Sequence, residues 1–212
     1  LLDNTVQNPL VLSNFRWTSG ETVVGGRRTT IDVIDPAVGQ LRYHTFGSWG
    51  YQLSSPLAIV VGYMVLGTPT PVSSVPVPGT PSATYTGVLN AVYTARGAGT
   101  DSFFDVTAVA SATADFNARS ISLSTTGTVR QSALNSATIV LDPSLNLTGT
   151  LAYTAGSNQV SGLLSTASGL TGNAAGNFFG PNGQEIGGTF VLSRNPGTGT
   201  QEHMFGAFGL HQ

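Results

Sequence analysis

The sequence has no cysteine and no lysine, and only 8% of its 212 residues are charged. Without cysteine there is no disulfide framework, thiolate metal site, iron–sulfur cluster or thiol nucleophile. All eight basic residues are arginine and the formal net charge is −2, so no broad basic field exists to bind nucleic acid. Ordinary soluble domains are about 25% charged. Here polarity comes from Thr, Ser, Asn and Gln instead. Such a surface suits an exported β-rich protein. Its weak self-repulsion also suits a protein that packs against copies of itself or against a neutral partner.

Long hydrophobic runs are missing too. Leu57 to Leu66 is the longest apolar stretch, and with Gly62 inside it is too short for a membrane helix. A transmembrane barrel would carry aromatic girdles at both ends of its strands, whereas aromatics here are 8% and clustered. No signal peptide stands at Leu1, so either the chain is mature or it never had one, and a lipid-anchoring cysteine, if there is one, lies upstream. Catalytic signatures are absent as well: there is no G-x-S-x-G elbow, phosphate loop, dinucleotide fingerprint or H-E-x-x-H helix. The expectation is a protein that is not an enzyme. His203 and His211 lie too far apart on one strand to chelate an ion. Asp32/Asp35 and Asp101/Asp105 lack calcium-loop spacing. No metal site is expected.

What the chain does contain is strand signal. Gly (27 residues), Thr and Val are spread throughout, and no long window keeps a helical apolar period. About eight strand candidates follow residue 80, bounded by Gly, Asn, Pro and Ser. They are Ala83–Thr94, Ser102–Asn117, Ser120–Thr128, Ser136–Leu141, Asn146–Thr154, Gln159–Leu164, Gly176–Phe179 with Thr189–Arg194, and His203–Leu210. This pattern fits a barrel or a sandwich, and an eight-strand up-and-down barrel would leave no open edge. Upstream, Arg28–Asp35, Gln40–Gly50 and Leu57–Gly67 predict a little sheet lying against the main domain. Gly25-Gly26-Arg27-Arg28 reads as a short basic turn. Between the two parts, Thr68 to Gly79 is rich in proline, which favours an extended spacer or a strand edge. The predicted division is residues 1–75 and 76–212.

The most informative stretch is Gly176 to Phe190. Phe178 and Phe179 end an apolar run, and Gly180-Pro181-Asn182-Gly183 reverses the chain. Glu185 follows alone, then Gly187-Gly188 permits a bend or a close approach before Thr189-Phe190 resumes the strand. With no His or second acid nearby in sequence, Glu185 reads as a buried carboxylate held by backbone amides of this corner.

The stretch is similar to the "FFGP…E…GG.F" signature of the transferrin-binding protein B-like superfamily. Tyr43 to Gly50 resembles its "Y..FG.W" stretch, and Gly62 to Gly67 the strand that leaves that part. Val77 to Gly87 resembles its "P..G.A.Y.G" lead into the barrel, and Ala114-Asp115-Phe116 its "ADF". The resemblance implies an all-β fold, a small N-terminal handle sheet followed by an eight-stranded antiparallel β-barrel. It also implies a cell-surface or secreted binding protein of a Gram-negative bacterium, in a family whose members bind host transferrin, factor H, haemoglobin or haem. Every matched position defines the fold, Gly180, Pro181, Glu185, Gly187 and Gly188 above all, so no functional residue carries over.

The ligand-binding candidates come from the densest aromatic neighbourhood, Tyr43, His44, Phe46, Trp49 and Tyr51. A neutral His44 among aromatic planes could ligate haem iron, with the rings packing on the porphyrin. The plainer alternative is a half-exposed strand histidine over core aromatics. Strand alternation puts His44 on the face of Phe46 and opposite Tyr43 and Thr45. The expected partner is a small hydrophobic ligand, haem among them, or a host or surface protein, held in a handle–barrel cleft. Self-association into a layer or filament is the rival expectation.

Overall fold

Strand-forming Thr, Val and aromatic residues dominate between turn residues, and the backbone follows them. The computed structural model describes residues 16–24, 27–54, 57–97, 100–133, 138–197 and 200–212. The turn expected at Gly25-Gly26 and the first residues of the Ser136–Leu141 candidate lie outside the described residues. Strands β1 (Arg16–Val24), β2 (Arg27–Ile34), β3 (His44–Ser54) and β4 (Leu57–Gly67) form a four-stranded antiparallel handle in that order. A one-turn helix, α1 (Pro36–Gly39), joins β2 to β3. The Asp35 carboxylate caps it by accepting the Ala37 N–H at 2.9 Å, and Pro36 pre-sets its first residue.

The remaining strands are β5 (Ala83–Gly97), β6 (Thr100–Asp115), β7 (Ser120–Ser132), β8 (Ile139–Leu141), β9 (Leu147–Ala152), β10 (Gln159–Thr166), β11 (Thr171–Phe179), β12 (Glu185–Gly197) and β13 (Thr200–His211). Each pairs antiparallel with its sequence neighbour, and β13 pairs with β5 to close the ring. Strands β8 and β9 both pair with β7, one at Val129–Gln131 and the other at Ser120–Ser124. They are two halves of one stave, broken where the 3₁₀ turn Pro143–Leu145 sends Leu145 into the core. The result is an eight-stave barrel. Sequence periodicity counts that broken stave as two strands and fuses β11 with β12 into one, so the two misreadings cancel in the total.

The barrel interior is filled, not hollow. One wall is small: Ala108, Ala110, Ala112 and Ala114 of β6 point inward. The opposing strands supply Phe178, Phe190 and Phe208, and the turn after β6 supplies Phe116. Small residues facing large ones close a narrow barrel at side-chain density. Residues 68–82 connect handle to barrel, and the boundary expected at 75/76 falls within them. Their prolines do not form a free spacer. Thr70 N–H donates to Phe178 O at 2.9 Å, Asn158 Nδ2 donates to Thr70 O at 2.8 Å, and the Tyr153 hydroxyl donates to Pro76 O at 2.8 Å. Val75 then drops into the barrel core. The tract is a strap over one barrel end.

Candidate functional site

Handle and barrel meet at one buried carboxylate. Residues 40–43 leave α1 through Gln40 in the left-handed region (φ 54°), which turns three successive N–H groups toward β12. Glu185, 2% exposed at the start of β12, receives all three. Arg42 N–H donates to Oε1 at 2.6 Å, and the N–H groups of Tyr43 and His44 donate to Oε2 at 3.0 and 3.2 Å. His44 Nδ1 lies 2.8 Å from the same Oε2, which assigns the ring proton to Nδ1. Sequence reasoning expects amides around Glu185, and they are there. Their source is the handle, however, more than 140 positions away, and not the Gly-rich corner.

The corner does a different job. Gly180 (φ 83°) and Gly183 (φ 73°) adopt left-handed backbone as expected, and Tyr85 pins the turn by donating its hydroxyl to Gly183 O at 2.7 Å. Burial pushes the Tyr85 phenol up to about 12. A Cβ at Gly180 would strike the Tyr43 ring at 2.5 Å, so the glycine also makes room for the handle. Gly187 and Gly209 make room for His44 itself. Added Cβ atoms there would sit 2.6 Å from His44 Cδ2 and 2.8 Å from Nε2 respectively.

The five aromatic candidates are therefore split. His44 and Phe46 face the barrel, as the alternation places them, and are fully buried. His44 stacks on Phe179 with centroids 4.6 Å apart, and Phe46 packs with Ile34, Leu41 and Ala207. Tyr43 borders a cleft between α1 and the ends of β12 and β13. Trp49 and Tyr51 lie on the opposite, outer handle face. His44 Nε2 is buried without a hydrogen-bond partner, with Gly187 and Gly209 packed close against the ring. His44 is therefore not half-exposed. It is an interface residue.

This geometry implies a pH dependence. Burial lowers the His44 pKa below its ordinary value of 6.5, and the opposing pull of Glu185 does not cancel it. Protonation would put an N–H at Nε2, where no acceptor exists. The unfolded chain then binds more protons than the folded one below about pH 6.5, so stability is full above that value and falls as pH drops through it. Thermal melts from pH 8 to pH 5 should show a falling midpoint whose slope diminishes in His44→Asn. An equal slope in both proteins would refute the assignment.

Three surface features were not legible in the sequence. The first is the cleft, about 790 Å³, lined by Gln40, Arg42, Tyr43, Gln184, His211 and Gln212. Its lining is mostly polar, with the Tyr43 ring at one side, and this character is what the sequence does not show. The second is an ionic belt at the far barrel end, where Arg194 makes a bidentate pair with Glu202 (2.7–3.0 Å) and Arg130 lies 2.8 Å from Asp142 and over the Phe104 ring. Arg194 also donates to Ser168 O. These charges clasp staves together; the register partners Arg194 and Glu202 are the only signal that could have revealed them. The third is an apolar row on the outer handle face. Ile31 and Trp49 are directly opposed across β2 and β3 and each is 39% exposed, Tyr51 opposes Val60, and Leu66 is 53% exposed. The Trp49 indole lies across Gly62, whose Cβ would fall 2.5 Å from it. Among the described residues no cluster of His, Asp or Glu could hold a metal ion, and no helix is long and apolar enough to cross a membrane.

Comparison with known proteins agrees with this architecture. The family described as the C-lobe and N-lobe beta barrels of Tf-binding protein B matches residues 77–212. Among solved structures, the chain is similar to transferrin-binding protein B from Haemophilus parasuis, with a TM-score of 0.58, 14% identity, and 93% of this chain covering 38% of that one. Intact Ap-TbpB, with its N and C lobes, gives a TM-score of 0.58 at 13% identity over 96% of this chain and 39% of that one. The isotype 1 protein of serogroup B Neisseria meningitidis gives 0.53 at 18% identity over 98% of this chain and 37% of that one. The chain therefore spans well under half the length of these relatives. No curated protein matches it.

Proposed function

From the premise that this chain belongs to the family of transferrin-binding protein B β-barrels, we propose that it is a non-enzymatic capture protein on the surface of a Gram-negative cell, or secreted from one. Its ligand is a nutrient, and an iron-carrying protein of the transferrin type is the form favoured here. The observation that supports this reading is the outer handle face. Ile31, Trp49, Tyr51, Val60 and Leu66 expose apolar surface on a sheet whose other face is fixed to the barrel through Glu185. A rigid, weakly charged platform with a central tryptophan has the composition of an interface core, where aromatic anchors carry most of the binding energy. Haem fits less well, because the one histidine among these aromatics is sealed in the interface.

Immobilised chain should bind iron-loaded transferrin saturably in a biosensor, and Trp49→Ala should weaken the complex by about 30-fold, the loss of roughly 2 kcal/mol at an interface anchor. Unchanged affinity in the variant would remove the handle face from the site; no binding of transferrin, with no Soret shift on adding haemin, would move the ligand elsewhere. Self-association is the second reading, favoured by the exposed β8 strip Ile139, Val140 and Leu141 and by the net charge of −2. Sedimentation that shifts with protein concentration would select it.

A further inference from the structure

The two edges of the handle sheet are built differently. Edge strand β1 carries Arg16 and Glu21 and breaks register with β2 between Thr18 and Gly20. Charges and bulges of this kind discourage further strand pairing. Edge strand β4 has neither. Its sequence from Leu57 to Gly67 contains no charge and no proline, and its register with β3 runs unbroken from Ser54↔Leu57 to His44↔Gly67. Among the described residues it pairs with no strand on the other side. An antiparallel strand turns alternate N–H and C=O groups away from its partner, so this edge offers a ladder of donors and acceptors.

Beside that edge lies a groove of about 510 Å³, with Met64 and Val65 on the handle side and Ser161, Ala175 and Thr189 on the barrel side. The register sets those three small residues in one row across β10, β11 and β12. No Asp, Glu, Lys, Arg or His lines the groove. A second groove, about 360 Å³, continues from Ala175 and Thr189 toward Asn173 and Val191. Val191 is 62% exposed, and Leu163 in the same row is 67% exposed.

We propose that the β4 edge and this groove form a docking site for an extended, uncharged segment of a partner protein. The segment adds to the handle as a fifth strand and lies over the small-residue floor of β10–β12. Backbone hydrogen bonds supply the attachment and alternate side chains the selectivity. Those facing the floor meet the uncharged row Ser161, Ala175 and Thr189, whose hydroxyl and methyl groups suit neutral side chains. Those facing outward would extend the apolar row at Val60 and Leu66. A charged segment would be desolvated against walls that offer no counter-ion. A helix cannot pair with a strand edge. A second copy fits poorly as well: two-fold pairing of β4 with β4 sets both barrels on one side of the joined sheet, where each already reaches past the edge to β10. The inference deepens the capture reading by naming a mode of contact, but its test needs no transferrin, so the two can fail separately.

The probe is an acetylated, amidated (Thr-Val)4 peptide added to the full chain, followed by hydrogen exchange. Saturable binding is expected, with exchange slowed in β4 and unchanged in β1. The same peptide N-methylated at alternate residues should not bind. Ala175→Trp, which raises a ring from an exposed floor position, should weaken binding at least tenfold while the thermal midpoint stays fixed. The proposal is overturned by unaltered β4 exchange at millimolar peptide, by equal binding of the N-methylated form, or by protection at β1 instead. It is equally overturned if β4 becomes protected on raising protein concentration without peptide, which would assign the edge to a second copy.

Discussion

Glu185→Ala should cost about 3–5 kcal/mol of stability, what a few buried donors orphaned at about 1–3 kcal/mol each amount to once some are rehydrated. The reason is arithmetic on donors. The carboxylate takes the N–H groups of Arg42, Tyr43 and His44 together with His44 Nδ1, and the side chain is nearly inaccessible to water. Alanine leaves those donors buried without an acceptor, and each orphan costs about 1–3 kcal/mol unless the structure opens to hydrate it. The folded chain has a way to open, because the handle can lift from the barrel while the closed barrel keeps its own pairings. The expected result is thus a double one: a lower denaturation midpoint, and fast amide exchange at residues 42–44 with barrel strands still protected. Glu185→Gln retains the shape but points an amide group at some of the same donors, so it should recover only part of the loss. A midpoint unchanged within error in Glu185→Ala would show that the carboxylate does not hold the handle.

This carboxylate also marks where sequence reading succeeds and where it ends. Local chemistry is legible: Gly180 to Gly183 demands a reversal, and the left-handed backbone at both glycines supplies it. Alternation is legible too, since His44 and Phe46 share a face as expected. What covers that face is not legible, because the covering strands β12 and β13 begin more than a hundred residues later. A histidine beside aromatics looks the same in sequence whether it meets a porphyrin or Phe179. Strand β11 is legible only at its end, Gly176–Phe179, for a related reason. Its inward positions before Phe178 are Gly172, Ala174 and Gly176, too small to show a hydrophobic period. The Pro143 break inside one stave likewise mimics a boundary between two strands.

Gly209→Ala should separate handle from barrel without touching a hydrogen bond. The new methyl would sit 2.6 Å from Phe46 Cε1 and 2.8 Å from His44 Nε2. Neither ring can give way easily. His44 is held by Glu185 on one side and stacked on Phe179, and Phe46 is enclosed by Ile34, Leu41 and Ala207. Overpacking of this kind typically costs about 1–3 kcal/mol, and Gly187→Ala, which meets His44 Cδ2 at 2.6 Å, adds a second collision on the same ring. Because both substitutions strain one side chain, their effects should fall short of additive: once the handle has lifted, the second methyl meets nothing. Adding His44→Ala to the pair should restore docking in part, since it removes the ring that both methyl groups strike. Each protein would be followed by chemical denaturation and by exchange at β3. Full additivity of the two glycine variants, or no rescue on removing the imidazole, would mean that they act on the barrel and not on the seam. Partial rescue would identify the close fit of His44 between two glycines, and not strand conformation, as the reason glycine stands at 187 and 209.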